Sequence, residues 1–170
     1  MARNSDEDLG HLAARVGRHL LREQRVLATA ESCSGGWIAK ALTDIAGSSQ
    51  WFTEGFVTYS NESKTARLKV PASVLKRSGA VSEFTARAMA KGVLLQTDAQ
   101  VAVAVTGIAG PGGALPGKPV GTVWLAWAER RGARIRVAVQ LKHFRGDREA
   151  VRRKTVRAAL EGLLAGTARP

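Results

Sequence analysis

Apolar residues recur along this chain with two different periods. Leu9, Leu12, Val16 and Leu20 fall on one face at helical spacing, predicting a helix from about Glu7 to Gln24 capped by Asp6. The run Arg25 to Ala30 reads as a short buried strand, residues 31–36 as a turn, and Trp37 to Ala46 as a return to helical period. Phe52 to Ser60 reads as a strand and Asn61 to Leu68 as a short helix, which Pro71 interrupts and a further short turn follows. Ser82 is an N-cap residue for a helix through about Thr97. Gln100 to Val105 carries the cleanest buried-strand signal, and a glycine-rich loop, Thr106 to Pro119, comes next. Two strands follow near Gly121–Ala128 and Ala133–Lys142, joined by a hairpin turn at Glu129–Gly132. Asp147 begins a final helix whose apolar residues are Val151, Val156, Leu160, Leu163 and Leu164.

Helices and strands alternate early and a hairpin comes late. That order predicts an α/β fold with a mixed β-sheet covered by helices on both faces. The length of 170 residues suits one core, and neither a linker nor an internal repeat is visible. The expectation is a single domain over 1–170, with its core at about 7–166.

Charge changes the picture only partly. The chain carries 26 Lys+Arg against 14 Asp+Glu, a net charge of +12 that attracts nucleic acid, acidic membrane or phosphorylated small molecules. The basic residues cluster mainly between Arg130 and Arg157 and are not interleaved with aromatics, as a strand-binding platform requires. A solvated basic surface is the simpler reading, so no specific nucleic-acid partner is expected. No apolar run approaches the roughly 18 residues needed to span a bilayer. The first ten residues hold no apolar signal core, so a cytoplasmic protein is expected, with no membrane partner. Cys33 is the single cysteine and excludes an internal disulfide; with three scattered histidines it lacks metal-ligand spacing. Neither a metal nor a cofactor is expected.

Four segments are candidates for chemistry. Glu31-Ser-Cys-Ser-Gly-Gly36 lies between a strand and a helix, where a small nucleophile meets the N–H groups of a helix start. Gly35 and Gly36 would let a ligand approach the backbone. The same residues equally make an ordinary capped turn. Thr58-Tyr-Ser-Asn-Glu-Ser-Lys64 places Tyr59 at a strand end and Lys64 a little over one helical turn beyond it. A lysine acts as a base only when burial or a neighbouring cation lowers its pKa; otherwise it is a solvated helix residue. The stretch Thr106-Gly-Ile-Ala-Gly-Pro-Gly-Gly113, continuing to Lys118-Pro-Val-Gly-Thr122, is either a backbone cradle for phosphate or ribose or a flexible turn. It matches neither the P-loop nor the dinucleotide fingerprint. In Phe144-Arg-Gly-Asp-Arg-Glu149 an arginine is placed either to grip phosphate or to lie solvated beside an Asp147 cap.

Together and in this order, the segments resemble one family, the CinA C-terminal-domain family of nicotinamide-nucleotide amidases. The matching stretches are AESCSGG (30–36), DIAGSSQWFTEGFVTYSNESK (44–64), GAVSE (79–83), TGIAGPGG (106–113), KPVGTVW (118–124) and GDREAVRR (146–153). The resemblance runs from about Leu9 to Leu164. It implies a three-layer α/β/α sandwich, no metal, no cofactor, and a homo-oligomer, a dimer. It also implies hydrolysis of nicotinamide mononucleotide to nicotinate mononucleotide and ammonia. By the same resemblance the nucleophile falls on Ser32 and the base on Lys64, with Tyr59 assisting. Substrate-binding positions fall on Ser34, Gly35, Gly36, Thr106, Gly107 and Arg148. Ser34 stands where the family usually has Thr, and the loop 113–117 is less polar than the family's. Two other catalytic assignments compete: Cys33 as the intrinsically better nucleophile, and His143 as a base without an evident partner. A different class of function, a non-catalytic basic nucleotide- or nucleic-acid-binding module, would have no need of Ser32, Tyr59, Lys64 and Thr106 together.

Overall fold

The computed structural model describes residues 5–166. Five strands form one mixed sheet: β1 (Leu27–Glu31), β2 (Phe52–Val57), β3 (Val101–Gly107), β4 (Thr122–Arg131) and β5 (Arg134–His143). Their order is β2-β1-β3-β4-β5, with β1 parallel to both β2 and β3, and β4 and β5 antiparallel. The six helices are α1 (Asp6–Arg22), α2 (Trp37–Thr43), α3 (Asn61–Leu68), α4 (Ala72–Ser78), α5 (Glu83–Gln96) and α6 (Arg148–Ala165). The expected α/β sandwich with a mixed sheet is the observed architecture.

The two faces of the sheet differ in side-chain size because alternate strand residues point oppositely. One face presents Leu27, Val101, Val103, Val105, Val123, Leu125 and Trp127 to α1, α2 and α6. The other presents Ala28, Ala30, Ala102, Ala104, Ala126 and Ala128 to α5, with Leu68 of α3 packed into the same cluster. An alanine face lets α5 lie close to the sheet, and α5 meets it with Ala86, Met89, Ala90 and Val93.

Several boundaries differ from expectation for local reasons. The cap of α1 is Ser5, not Asp6: Ser5 and Asp8 exchange hydrogen bonds in a capping box, which places Asp6 inside the first turn. Helix α2 stops at Thr43, short of Ala46, and a 3-10 turn over Ser48–Gln50 follows. Strand β2 ends at Val57 instead of Ser60, because the Thr58 and Tyr59 carbonyls turn towards the Lys64 amine. The segment after Pro71 forms α4 where only a short turn is expected. The final hairpin turns at Gly132 and Ala133, since β4 continues to Arg131 and pairs there with Arg134. Caps at Ser82 and Asp147 form as expected, through the N–H groups of Thr85 and Ala150.

Gly92 fixes how α3 meets α5. A Cβ there would lie 2.1 Å from the Leu68 carbonyl oxygen at the end of α3. In an open helix Gly→Ala stabilises by about 1 kcal/mol; here the clash is with backbone, which cannot swing aside. Gly92→Ala is therefore expected to destabilise the chain by about 1–3 kcal/mol in urea unfolding. A stabilised variant would show that the two helices do not meet this way.

Candidate active site

The three parallel strands end side by side, with β1 in the middle. At such an edge chain crossings diverge to opposite faces, which opens a crevice at the strands' carboxyl ends. From β1 the chain leaves through α2 on the large-residue face. From β2 it returns through α3, α4 and α5 on the alanine face and enters β3. The crevice holds a cavity of about 260 Å³. It is lined by Ser32 and Cys33 after β1, Tyr59 after β2, Lys64 from α3, and Thr106 and Gly107 at the end of β3. The loop after β3, residues Ala80 and Val81, and Arg148 complete the wall.

Lys64 is the centre of this arrangement. It is 1% exposed, although lysine is seldom buried without a charged partner. Its Nζ lies 3.0 Å from Ser32 Oγ, 2.8 Å from the Thr58 carbonyl oxygen and 3.3 Å from the Tyr59 carbonyl oxygen. It belongs to none of the ion pairs among the described residues. Burial lowers its pKa below the ordinary lysine value, against a weaker opposite pull from Cys33 and Glu62. Thr58 also donates its N–H to the Glu31 carbonyl at 2.9 Å. A closed loop results: Ser32 Oγ, Lys64 Nζ, the Thr58 peptide and the Glu31 carbonyl, returning through the chain to Ser32.

The turn after β1 has its own support. Ser32 donates its N–H to the Val105 carbonyl, and Gly35 donates to the Ser32 carbonyl. Neither Cys33 nor Ser34 bonds its N–H to a backbone carbonyl among the described residues. Gly36, with φ of +92°, is the N-cap of α2 and offers no side chain to it. The Glu31 carboxylate caps it instead, accepting from the Ile38 N–H at 2.9 Å and the Ala39 N–H at 2.8 Å. Burial pushes the Cys33 thiol up to about 12, so the better intrinsic nucleophile is held as an unreactive thiol.

The expected residues therefore divide. Ser32, Tyr59, Lys64, Thr106, Gly107 and Arg148 meet around one cavity. Ser34, Gly35 and Gly36 lie behind it. The Ser34 hydroxyl is buried and donates to Glu31 at 2.6 Å, and Arg152 packs against Gly35 while donating to the Ser34 carbonyl at 2.9 Å. Thr106 donates its hydroxyl to the Ala80 carbonyl at 2.8 Å and so holds the 79–83 segment against the crevice. Arg148 spans the cavity mouth, donating to the Gly110 carbonyl at 2.7 Å and to the Tyr59 hydroxyl at 3.0 Å. His143 sits at the end of β5 within 3.4 Å of the Thr122 hydroxyl and does not line the cavity. Among the described residues no three of His, Cys, Asp and Glu are grouped to hold a metal ion.

Sequence comparison adds to this geometry. The profile of the CinA C-terminal domain matches residues 9–166. The chain belongs to the CinA C-terminal domain family. Among its relatives is the nicotinamide-nucleotide amidohydrolase PncC of Pseudomonas putida, 54% identical over 153 residues that cover 90% of this chain and 93% of the relative. The protein of the same name from Escherichia coli K12 is 48% identical over 159 residues, 94% of each chain. A CinA superfamily crystal structure from Klebsiella pneumoniae 700603 superposes with a TM-score of 0.88 at 40% identity, covering 94% of this chain and 98% of that one. The competence/damage inducible protein CihA of Agrobacterium tumefaciens superposes with a TM-score of 0.86 at 45% identity, covering 95% of each. The CinA fold thus accounts for nearly the whole chain.

The lysine's burial has a measurable sign. The folded CinA domain holds the Lys64 proton less tightly than the unfolded chain, whose value is near 10.5. Stability from this residue therefore rises with pH between the lowered value and the ordinary one. Relative to Lys64→Met, the wild type is expected to gain stability as the pH rises through the window below the ordinary lysine value, by about 1.4 kcal/mol for each tenfold weakening of proton binding. Parallel pH profiles for the two proteins would show that Lys64 titrates as a free lysine.

Proposed function

We propose that the chain is a nicotinamide-nucleotide amidase that hydrolyses nicotinamide mononucleotide, with Ser32 as nucleophile and Lys64 as base. The observation that carries the reading is the 3.0 Å approach of a buried, unpaired lysine amine to the Ser32 hydroxyl. The names of the Pseudomonas and Escherichia relatives support the substrate class. A module that only binds nucleotides or nucleic acid gains nothing from burying an ammonium without a carboxylate, since that burial is costly.

A neutral amine has two N–H donors and one lone pair. The Thr58 and Tyr59 carbonyls take the two donors, leaving the lone pair for the Ser32 hydroxyl proton. Ser32 Oγ then forms a bond to the carboxamide carbon while its proton passes to Lys64. Negative charge develops on the carboxamide oxygen. Cys33 borders the cavity and its N–H is uncommitted to backbone, so it is the donor suited to that charge. Collapse breaks the carbon–nitrogen bond, and ammonia leaves with the proton from Lys64. Water, deprotonated by the same amine, attacks the acyl ester; the carboxylate product leaves and Ser32 regains its proton. Arg148 at the mouth and the net positive charge suit a substrate that carries phosphate. In this reading Tyr59 works through its carbonyl on Lys64 and its hydroxyl on Arg148. The enzyme is proposed to act in the cytoplasm as a homodimer.

Ammonia release from nicotinamide mononucleotide tests this directly. Ser32→Ala is expected to abolish release, and Lys64→Arg, which cannot deprotonate near neutrality, to reduce it by about 10²–10⁴-fold. Wild-type turnover in Ser32→Ala would remove the nucleophile assignment, and a folded wild type that releases no ammonia would remove the substrate. Iodoacetamide at neutral pH is expected to leave wild-type turnover intact because the Cys33 thiol is buried and protonated. Stoichiometric alkylation with loss of turnover would reopen Cys33 as nucleophile.

A further inference from the structure

We infer that Glu31 is a positioning residue for the reaction: its buried carboxylate ties the nucleophile turn to α2 and so fixes where Ser32 Oγ stands relative to Lys64. The inference rests on the Ser32 and Lys64 reading above and adds a residue that neither the cavity nor the expected site set includes.

Three observations carry it. First, the Glu31 side chain is 1% exposed and is absent from the cavity wall, so it touches neither substrate nor water. Second, it is surrounded by donors. Oε2 accepts from the Ser34 hydroxyl at 2.6 Å and the Ile38 N–H at 2.9 Å, and Oε1 accepts from the Ala39 N–H at 2.8 Å. Both oxygens thus face hydrogen atoms; burial raises the Glu31 pKa above the ordinary glutamate value, and these hydrogen bonds pull it back towards the carboxylate. Third, the partners bracket the nucleophile. Glu31 and Ser34 flank Ser32 and Cys33, and Ile38 and Ala39 lie in the first turn of α2.

An acid here solves two problems at once. Helix α2 begins at Gly36, which supplies no cap, so its first N–H groups need an acceptor in a buried setting. The Glu31 carboxylate reaches them from the preceding strand. In the same stroke it draws the Ser34 hydroxyl inward, which leaves the turn one way to fold. The Glu31 carbonyl meanwhile accepts from Thr58, whose own carbonyl accepts from Lys64. Backbone and side chain of this one residue therefore hold both sides of the Ser32–Lys64 contact. An apolar residue of similar size would leave the α2 N–H groups and the Ser34 hydroxyl without acceptors. A neutral amide would set an NH₂ group against one of the donors.

The test is steady-state ammonia release from nicotinamide mononucleotide by wild type, Ser32→Ala, Glu31→Gln and Ser34→Ala, with thermal unfolding of each. A displacement of the nucleophile of about 1 Å costs on the order of 100-fold in rate. Glu31→Gln is expected to lose about that factor in kcat, with KM within about twofold of wild type. The pH at which kcat reaches half its maximum should not move, because Lys64 keeps its own surroundings. Ser34→Ala removes one of the carboxylate's donors and is expected to show the same pattern more weakly. It serves as the measure if Glu31→Gln does not fold. Wild-type kcat in a folded Glu31→Gln, or in Ser34→Ala where Glu31→Gln does not fold, overturns the inference while leaving the nucleophile assignment standing. A shifted pH profile in the variant also overturns it, since Glu31 would then act on the Lys64 proton and not on position. Turnover in Ser32→Ala overturns the underlying reading together with this one.

Discussion

An ammonium group surrounded by three oxygens and no carboxylate is an uncomfortable thing to bury. The Lys64 amine is in that position, and much of the surrounding structure exists to keep it there. Its contacts are two peptide carbonyls and one hydroxyl. Carbonyl dipoles orient the amine but do not neutralise a charge as a carboxylate would. The result is an amine whose proton is held less tightly than an ordinary lysine's and whose remaining polar neighbour is the Ser32 hydroxyl. A salt bridge at the same place would hold the lysine more firmly and remove its chemistry.

The fold supplies that environment through the order of its strands. Placing β1 between β2 and β3 brings three parallel strand ends to one edge, and each contributes a different kind of group. From β1 comes the turn that carries Ser32. From β2 come the carbonyls that have left the sheet. From β3 come Thr106 and the glycine-rich loop. The lysine itself arrives from α3, whose distance from the sheet is set by α5 lying on the alanine face. The Lys64 amine and its two carbonyls are neighbours in sequence, but Ser32 and Thr106 are far from them, so the site forms only when the sheet does.

Much of the fold was legible because its periodicities are strong. The strand from Val101 and the helix from Glu83 announce themselves by burial pattern and cap. The boundaries that moved did so where a specific hydrogen-bond partner overrode the apolar pattern. Thr58 and Tyr59 read as strand residues, but the Lys64 amine claims their carbonyls. The cap of α1 passed to Ser5 because Asp8 was there to complete the box. The site was legible as a set of motifs, and six of the expected residues meet in one cavity. The inward direction of Ser34 was not legible, since it depends on where the Glu31 side chain points. Glu31 itself left a faint signal. It is an acid at the end of an apolar strand, just ahead of a helix whose cap position is glycine.

The unequal faces of the sheet have a consequence for how this domain can drift. Against α1 and α6 the core is built of large side chains, and volume lost at one position can be regained at a neighbour. Against α5 the central strands β1, β3 and β4 present alanines, and the apolar bulk comes from the helix, through Met89, Val93 and Leu94, and from β5. Substitutions on the first side can therefore be compensated within the sheet, while an enlarged strand residue on the second must be compensated from the helix. The face that sets the height of the lysine is the one with the least room to experiment. A lineage exploring new sequences would therefore enlarge strand residues against α1 and α6 before it enlarged those against α5.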